Sequence, residues 1–130
     1  MTKLESLMPL FIVADLGKSV AFYREVLGFD LSMSIPAEDP FFAIVARDRV
    51  GIMLKHIAPD VPPLPNPARH PYAKWDAFIR TEDPDALASE LQGRTSEIAC
   101  AVQDTDDGLR GFEISDVDGY ALFFGRPLEL

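Results

Sequence analysis

Apolar residues follow a strand pattern and then a helix pattern at the start of this chain. The run 7–14 is almost wholly apolar and predicts a buried strand. Asp15 follows it as a helix N-cap and Gly28 supplies a stop, so a helix is predicted over 16–27. The buried face of that helix consists of four apolar residues at helical spacing, Leu16, Val20, Tyr23 and Leu27.

Two or three further strands are predicted in the first part of the chain. The segments 41–47 and 51–57 are rich in β-branched, aromatic and other apolar residues, and the turn between them at 48–51 predicts a hairpin. A weaker strand signal over 31–35 precedes them. The first part of the chain therefore has the order βαβββ.

The same order recurs in the second part of the chain. A strand over 74–80 leads to Asp83, an N-cap followed by Pro84 at the first helical position, where a missing N–H has no cost. The helix continues to Gly93. The remaining predicted strands are 97–102, 111–115 and 120–125, the last two forming a hairpin.

The two parts are copies of one plan set 68 residues apart. The pairs that share this offset are Asp15 and Asp83, Tyr23 and Leu91, Asp48 and Asp116, and Gly51 and Gly119. We therefore expect one domain over 1–130, built of two modules, about 1–57 and 72–130. The connector 58–71 is rich in proline, which predicts a semi-rigid link. A ligand site between the modules follows naturally.

Composition restricts the possible partners. The chain carries a net charge of −9, which argues against nucleic acid or an anionic membrane and is compatible with a cationic ligand, although many proteins are acidic only for solubility. The longest apolar run is too short to span a bilayer, and no signal-like segment begins the sequence. Cys100 is the single cysteine, which fits a reducing compartment, so a cytoplasmic location is expected.

Three motifs carry a resemblance to a known superfamily. They are FIVADLGKSVAFYREVLGF at 11–29, DVDGY at 116–120 and WDAF at 75–78. Together with the repeat they resemble the vicinal oxygen chelate superfamily of glyoxalases, bleomycin-resistance proteins and dioxygenases, and most closely its metal-free bleomycin-resistance-like branch. The resemblance implies an α+β fold in which tandem βαβββ modules form a curved mixed sheet around a cavity.

The resemblance also implies four positions that hold metal in metal-dependent relatives. The first-strand position lies seven residues before the capping Asp and the last-strand position lies four residues after the turn Gly. In this chain they are Met8, Lys55, Asp76 and Phe123. Only one of these is a carboxylate, whereas a catalytic divalent ion needs about three donors, so no metal site and no cofactor are expected.

Two alternatives remain for the charged pair among these positions. Lys55 and Asp76 form an ion pair that orders the site, or Lys55 simply extends to water. His56 neighbours Lys55 and is expected on the opposite face of its strand, because successive side chains alternate.

The favoured function is binding without catalysis. Such relatives resemble this chain in size and acidity and act as homodimers that sequester a cationic, aromatic antibiotic in shared clefts, so a small-molecule ligand and a homodimer are expected. No catalytic residue is assigned. The expected ligand-binding residues are Met8, Leu10, Phe41, Phe42, Met53, Lys55, Trp75, Asp76, Phe78 and Phe123.

Two other functions stay open. The first is an enzyme of the same superfamily, a lyase, isomerase or dioxygenase. It would need a metal site, or metal-free acid–base work by Asp76, Lys55 or Glu113. The second is a metabolite-binding accessory protein.

Overall fold

The computed structural model describes residues 1–94 and 98–129, and it contains eight strands and three helices in that part of the chain. The elements of the first half are β1 (Leu10–Ile12), α1 (Leu16–Glu25), β2 (Asp30–Ile35), β3 (Phe42–Arg47) and β4 (Val50–Lys55). Those that follow are α2 (Asn66–Arg69), β5 (Ala77–Arg80), α3 (Pro84–Gln92), β6 (Ile98–Asp104), β7 (Leu109–Ser115) and β8 (Ala121–Pro127). The first residue of the strand predicted over 97–102 lies outside the described residues.

The strands form two four-stranded sheets with the same topology. The first sheet has the order β1-β4-β3-β2 and the second has the order β5-β8-β7-β6. Strand β1 runs parallel to β4, and β5 runs parallel to β8. All other neighbouring pairs are antiparallel. Helix α1 packs on the first sheet and α3 packs on the second. This confirms the predicted α+β fold of tandem βαβββ units.

Both long helices begin where the sequence predicts. The side chain of Asp15 accepts a hydrogen bond from the backbone N–H of Lys18 at 3.1 Å, and Asp83 accepts one from Ala86 at 3.0 Å. Each aspartate satisfies one of the free amides of a first helical turn. Helix α1 ends at Glu25, two residues earlier than predicted, and Gly28 then takes the left-handed conformation with φ +74°.

Several strand boundaries differ from the prediction. Strand β1 has only three residues, and β5 starts at Ala77 rather than at Lys74, whose backbone is left-handed with φ +59°. The β3–β4 turn consists of Asp48 and Arg49, with φ +53° at Asp48, so Gly51 lies inside β4 rather than in the turn. Its repeat partner Gly119 does occupy a turn, with φ +92°.

One hydrophobic core joins the two halves. It contains the covered faces of both sheets and the inner faces of α1 and α3. Of the side chains that strand alternation directs to the covered faces, Ala77 is partly buried against the core, and the others are buried, namely Phe11, Val13, Ile52, Leu54, Ile79, Leu122 and Phe124. The ring of Phe11 stacks on that of Tyr120 with centroids 4.3 Å apart, which ties β1 to the far end of the chain.

The β7–β8 turn inserts a buried carboxylate against α1. Asp116 is 6% exposed and accepts hydrogen bonds from the hydroxyl of Tyr23 at 2.7 Å and from the backbone N–H groups of Asp118 at 2.9 Å and Tyr120 at 3.0 Å. Burial raises the pKa of Asp116 to about 6. Burial and the neighbouring Asp116 also raise the pKa of Tyr23 well above its ordinary value.

The same turn caps the start of α1. Asp118 accepts hydrogen bonds from the backbone N–H of Ala14 at 3.1 Å and from the hydroxyl of Ser19 at 2.8 Å. The hydroxyl of Tyr120 donates to the carbonyl of Ile12 at 2.6 Å. The second half of the chain therefore fixes the strand-to-helix junction of the first half. No helix within 1–94 and 98–129 is long and apolar enough to cross a membrane.

Candidate functional site

Three aromatic rings form a cluster on the open face of the second sheet. Phe78 on β5 and Phe123 on β8 are register partners, so their side chains lie on the same face. Their ring centroids are 5.6 Å apart, and Trp75 lies 5.3 Å from Phe123 and 5.5 Å from Phe78. We call Trp75, Phe78 and Phe123 the aromatic cluster. Phe78 remains 39% exposed, so the cluster presents a ring surface to solvent.

Two glycines form the floor beneath this cluster. A Cβ atom on Gly111 would lie 2.7 Å from the ring of Phe123, and one on Gly125 would lie 2.5 Å from it. Both would also meet backbone, the carbonyl of Phe124 or of Arg110. Only glycine therefore lets the ring of Phe123 lie flat on the strands, and this explains why Phe123 is only 6% exposed although it is on the open face.

An acidic loop stands beside Trp75. The ammonium group of Lys74 lies 2.9 Å from a carboxylate oxygen of Asp107, and this contact joins the left-handed residue before Trp75 to the β6–β7 loop. The hydroxyl of Thr105 and then Lys74 lower the pKa of Asp107 to about 2. A cavity of about 380 Å³ separates loop and cluster, lined by Lys74, Trp75, Thr105, Asp106, Asp107, Leu109 and Phe123.

Asp76 fastens the connector to the second sheet. One carboxylate oxygen accepts a hydrogen bond from the backbone N–H of Asn66 and the other accepts one from Ala121, both at 2.8 Å. The ion pair considered between Asp76 and Lys55 is wrong: within the described ranges Lys55 forms no ion pair and is partly exposed. The carboxylate is occupied by backbone amides because residues 64–66 fold back onto β8.

The open face of the first sheet is aliphatic. The register places Met33, Ile44, Met53 and Leu10 in one row across all four strands, and Ile35, Phe42, Lys55 and Ile12 in the next. Met8 lies over Gly51, where a Cβ atom would be 2.7 Å from its sulfur. Phe41, just before β3, is 46% exposed, and its carbonyl accepts a hydrogen bond from the N–H of His56.

The ten sequence-predicted ligand residues therefore divide between two surfaces. Six belong to the open side of the first sheet or its edge, namely Met8, Leu10, Phe41, Phe42, Met53 and Lys55. The other four, Trp75, Asp76, Phe78 and Phe123, belong to the second sheet, and the ring contacts lie within this group. Residues that the sequence did not indicate are Lys74, Asp107, Gly111 and Gly125, because their roles depend on backbone conformation and close packing.

Glu113 also belongs to the second open face. It is the register partner of Phe123 on β7 and is partly buried. Burial, and then the neighbouring charge of Asp76, raise the pKa of its carboxyl group. The sequence marked this residue only as a conceivable acid or base.

The four positions that hold metal in metal-dependent relatives do not fit a metal ion here. Both oxygens of Asp76 accept backbone hydrogen bonds, Met8 packs over Gly51, and Phe123 is a hydrocarbon ring. Across 1–94 and 98–129, no three His, Cys, Asp or Glu side chains come together in a group that could hold a metal. His56 lies on the covered side of β4, its Nδ1 3.3 Å from the carbonyl oxygen of Val13.

A wider cavity, of about 550 Å³, opens near the start of α1. Its walls are Ala14, Asp15, Leu16, Gly17, Val20, Leu31, Ser34, Asp39, Pro40, Ala43 and His56. None of the predicted ligand residues lines it, and it has no aromatic ring besides the imidazole. The aromatic cluster is the better candidate site because its rings, charges and open surface converge on one place.

Comparison with known proteins agrees with this fold. The chain belongs to the Glyoxalase/Bleomycin resistance protein/Dioxygenase superfamily, whose family model matches residues 4–124. No curated protein sequence matches the chain.

Solved structures cover nearly the whole chain. TnmS3, an antibiotic binding protein from Streptomyces sp. CB03234, is 26% identical with a TM-score of 0.73 over 98% of both chains. A glyoxalase/bleomycin resistance protein from the same strain is 25% identical, with a TM-score of 0.70 over 94% of this chain and all of the other. The bleomycin-binding protein of bleomycin-producing Streptomyces verticillus is 23% identical, with a TM-score of 0.70 over 95% of this chain and 97% of its own, and shares the fold.

Proposed function

We propose that this protein binds and sequesters a planar, cationic small molecule, such as an antibiotic, without transforming it. The observation that carries the proposal is the aromatic cluster, three rings in contact on one sheet face, of which Phe78 is 39% exposed and Trp75 is partly exposed. Planar ligands stack on such rings, and a cation is attracted by the ring faces. The net charge of −9 and the acidic loop beside Trp75 favour the same ligand charge.

The relatives support a binding role. TnmS3 is described as an antibiotic binding protein, and the Streptomyces verticillus protein was solved with copper(II)-bleomycin. Binding of this kind needs no metal held by the protein and no general base. The metal-free state proposed here agrees with the donor set, in which the single carboxylate is used by backbone amides.

Two copies of the chain are proposed to form the complete cleft. Both open faces carry large exposed apolar side chains, including Leu10 at 49%, Met33 at 46% and Phe78 at 39% exposure. A sheet that is apolar on both sides needs both sides covered, and within one chain α1 and α3 cover only one side of each sheet. A second copy that placed its first sheet opposite the aromatic cluster would cover both faces and enclose the ligand.

Titration with metal-free bleomycin tests the proposal. Trp75 is the only tryptophan, so its fluorescence reports on the cluster directly. We expect quenching on binding, and the variant Trp75→Ala should lower the affinity measured by calorimetry at least about thirtyfold, as expected for loss of an aromatic anchor. Tyr72→Ala is the matched control, because Tyr72 is an aromatic residue of the connector that is 87% exposed. Equal losses in both variants, or no binding by the parent protein, would contradict the proposal.

Metal analysis and sedimentation test the remaining parts. One tightly held transition-metal ion per chain would favour the enzyme alternative over sequestration. If the protein stays monomeric at concentrations well above the dissociation constant of the ligand, the shared cleft is contradicted. A monomer–dimer association that becomes stronger when ligand is added would support it.

A further inference from the structure

Glu113 lies in the same row of side chains as the aromatic cluster. Glu113 on β7 faces Phe123 on β8, which faces Phe78 on β5. Directly opposed residues of a sheet have side chains on one face with Cβ atoms about 5 Å apart. Since Trp75 lies over Phe123 and Phe78, the carboxylate stands at the edge of the ring surface.

Within the part of the chain that the structure describes, no cation and no hydrogen-bond donor is paired with this carboxylate. In the described part of the chain Glu113 forms neither an ion pair nor a hydrogen bond. Two other partly buried carboxylates do have partners: Glu90 is paired with Arg47 and Arg94, and Asp76 accepts hydrogen bonds from two backbone amides. A partly buried carboxylate without a partner is costly, so a positive group brought to it is favoured.

Among the described residues, the charged groups near Glu113 provide no cation for it. The charge that acts on Glu113 is that of Asp76, which repels its ionised form, and burial acts in the same direction. Arg80 lies on the same face of β5 as Phe78 but is paired with Glu82 at 3.6 Å, and Lys55 is a residue of the other sheet. The missing charge is therefore expected from a ligand whose planar part rests on the rings.

We infer that Glu113 is the residue that selects a cationic ligand: it accepts hydrogen bonds from an ammonium or amidinium group carried by a planar ring system stacked on Trp75. This inference rests on the proposed function and names the residue that recognises the positive charge of the ligand. The acidic loop attracts cations from a distance, whereas Glu113 distinguishes a cation from a neutral molecule of the same shape.

Two acridines of nearly equal shape test the inference. 9-Aminoacridine is a cation at neutral pH and acridine is neutral, and both are titrated against Trp75 fluorescence at pH 7.5. The variant Glu113→Gln keeps the size of the side chain and removes its charge. We expect it to weaken 9-aminoacridine by about tenfold or more, the usual effect of losing a hydrogen bond to a charged group, and to leave acridine unchanged. Glu25→Gln is the control, since it makes the same change in net charge on the exposed end of α1.

The pH dependence gives a second measurement. Because burial raises the pKa of Glu113, the affinity of the parent protein for 9-aminoacridine should fall as the pH falls through that raised value. Glu113→Gln should show no such fall over the same range. A thermal unfolding midpoint close to that of the parent protein would establish that the variant is folded.

The outcomes separate the inference from the proposed function. If both acridines bind the parent protein and Glu113→Gln weakens them equally, or not at all, the inference is overturned and the proposed function stands. If neither acridine nor bleomycin quenches Trp75, the proposed function fails and the inference fails with it. Selective loss of the cation supports both.

Discussion

The two sheets share one backbone plan but present different chemistry on their open faces. At the 68-residue offset Leu10 becomes Phe78 and Lys55 becomes Phe123. The parallel pairing also shifts by two residues, since Leu10 faces Met53 whereas Phe78 faces Phe123. A shift of two keeps every side chain on its own face. The covered faces of both sheets are thus apolar. The open face of the first sheet is mainly aliphatic, whereas that of the second carries the aromatic cluster.

The difference between the covered and the open faces distinguishes the residues that the fold requires from those that a binding site requires. Both covered faces are apolar and buried, because any sheet of this kind needs a core. The open faces do not form the core of the single chain and could therefore diverge, and in the described residues the second open face alone carries stacked rings above two close-packed glycines. The first, with its methionines, suits a surface that adapts to whatever covers it. The second sheet is therefore suited to specific contacts with a ligand, and the first sheet is suited to contacts that adapt to different partners.

The largest expected effect comes from the turn carboxylates, Asp116 and its repeat partner Asp48. Asp116→Ala should lower the free energy of unfolding by about 3 kcal/mol, because the Tyr23 hydroxyl and two backbone amides lose their acceptor inside the core. Asp48→Ala should cost at most about 1 kcal/mol, the strain of alanine at φ +53°, since the Asp48 side chain is 89% exposed. Urea denaturation measures both, and equal costs would show that the two turns are equivalent after all.

The glycine floor gives the next largest effect. Gly125→Ala should destabilise the protein by about 2 kcal/mol and displace Phe123, because the new methyl group meets the carbonyl of Arg110 as well as the ring. Gly51→Ala is the matched change in the first sheet, where the new methyl meets the flexible side chain of Met8. It should cost less than about 1 kcal/mol. Denaturation, with Trp75 fluorescence as a reporter of the cluster, distinguishes the two, and a Gly125→Ala variant with unchanged stability and fluorescence would contradict this packing.

The pH dependence of stability should distinguish the same two turns. The pKa of Asp116, about 6, is above the ordinary 3.8, so the folded state binds the proton more tightly than the unfolded chain. The proton-linked part of the stability that this residue contributes is therefore full below about pH 3.8 and is lost as the pH rises through about 6. From pH 7 to pH 5, the parent protein should gain about 1 kcal/mol relative to Asp116→Asn. Asp48→Asn should follow the parent protein, and a constant difference for Asp116→Asn would refute the assignment.

The smallest effect should be equal in the two halves. Asp15→Ala and Asp83→Ala each remove one N-cap hydrogen bond of the same geometry, and each should cost about 1 kcal/mol. Thermal unfolding of the two variants provides the measurement. A clearly larger loss of stability in Asp15→Ala than in Asp83→Ala would contradict this equality. It would show that the hydrogen bond from the Ala14 amide to Asp118 requires the neighbouring Asp15 cap.

The sequence predicted the scaffold well because periodicity and capping act locally. Asp15, Asp83 and Gly28 define helix ends through hydrogen bonds and backbone preferences that no distant residue needs to supply. Strand alternation is equally local, and the residues it directs to the covered faces, such as Phe11 and Leu54, are buried. The family assignment rested on the same local motifs and is confirmed.

The site was less accessible to sequence reasoning because it depends on contacts between distant segments. Asp76 was considered as a partner for Lys55, yet its neighbours in space are the amides of Asn66 and Ala121. The turn glycine Gly51 was taken as equivalent to Gly119, yet Asp48 supplies the left-handed residue of its turn. Nothing in the spacing of residues shows that Gly111 and Gly125 lie beneath one ring.

The hydrogen bonds between the β7–β8 turn and α1 show how the two copies have diverged. A duplicated unit begins as two equal copies, each able to replace the other. Here Asp118 accepts a hydrogen bond from the Ala14 amide and Asp116 accepts one from the Tyr23 hydroxyl, whereas among the described residues their counterparts at the offset, Val50 and Asp48, form no hydrogen bond with α3. The first half now depends on contacts that the second half provides. The two copies are therefore no longer interchangeable.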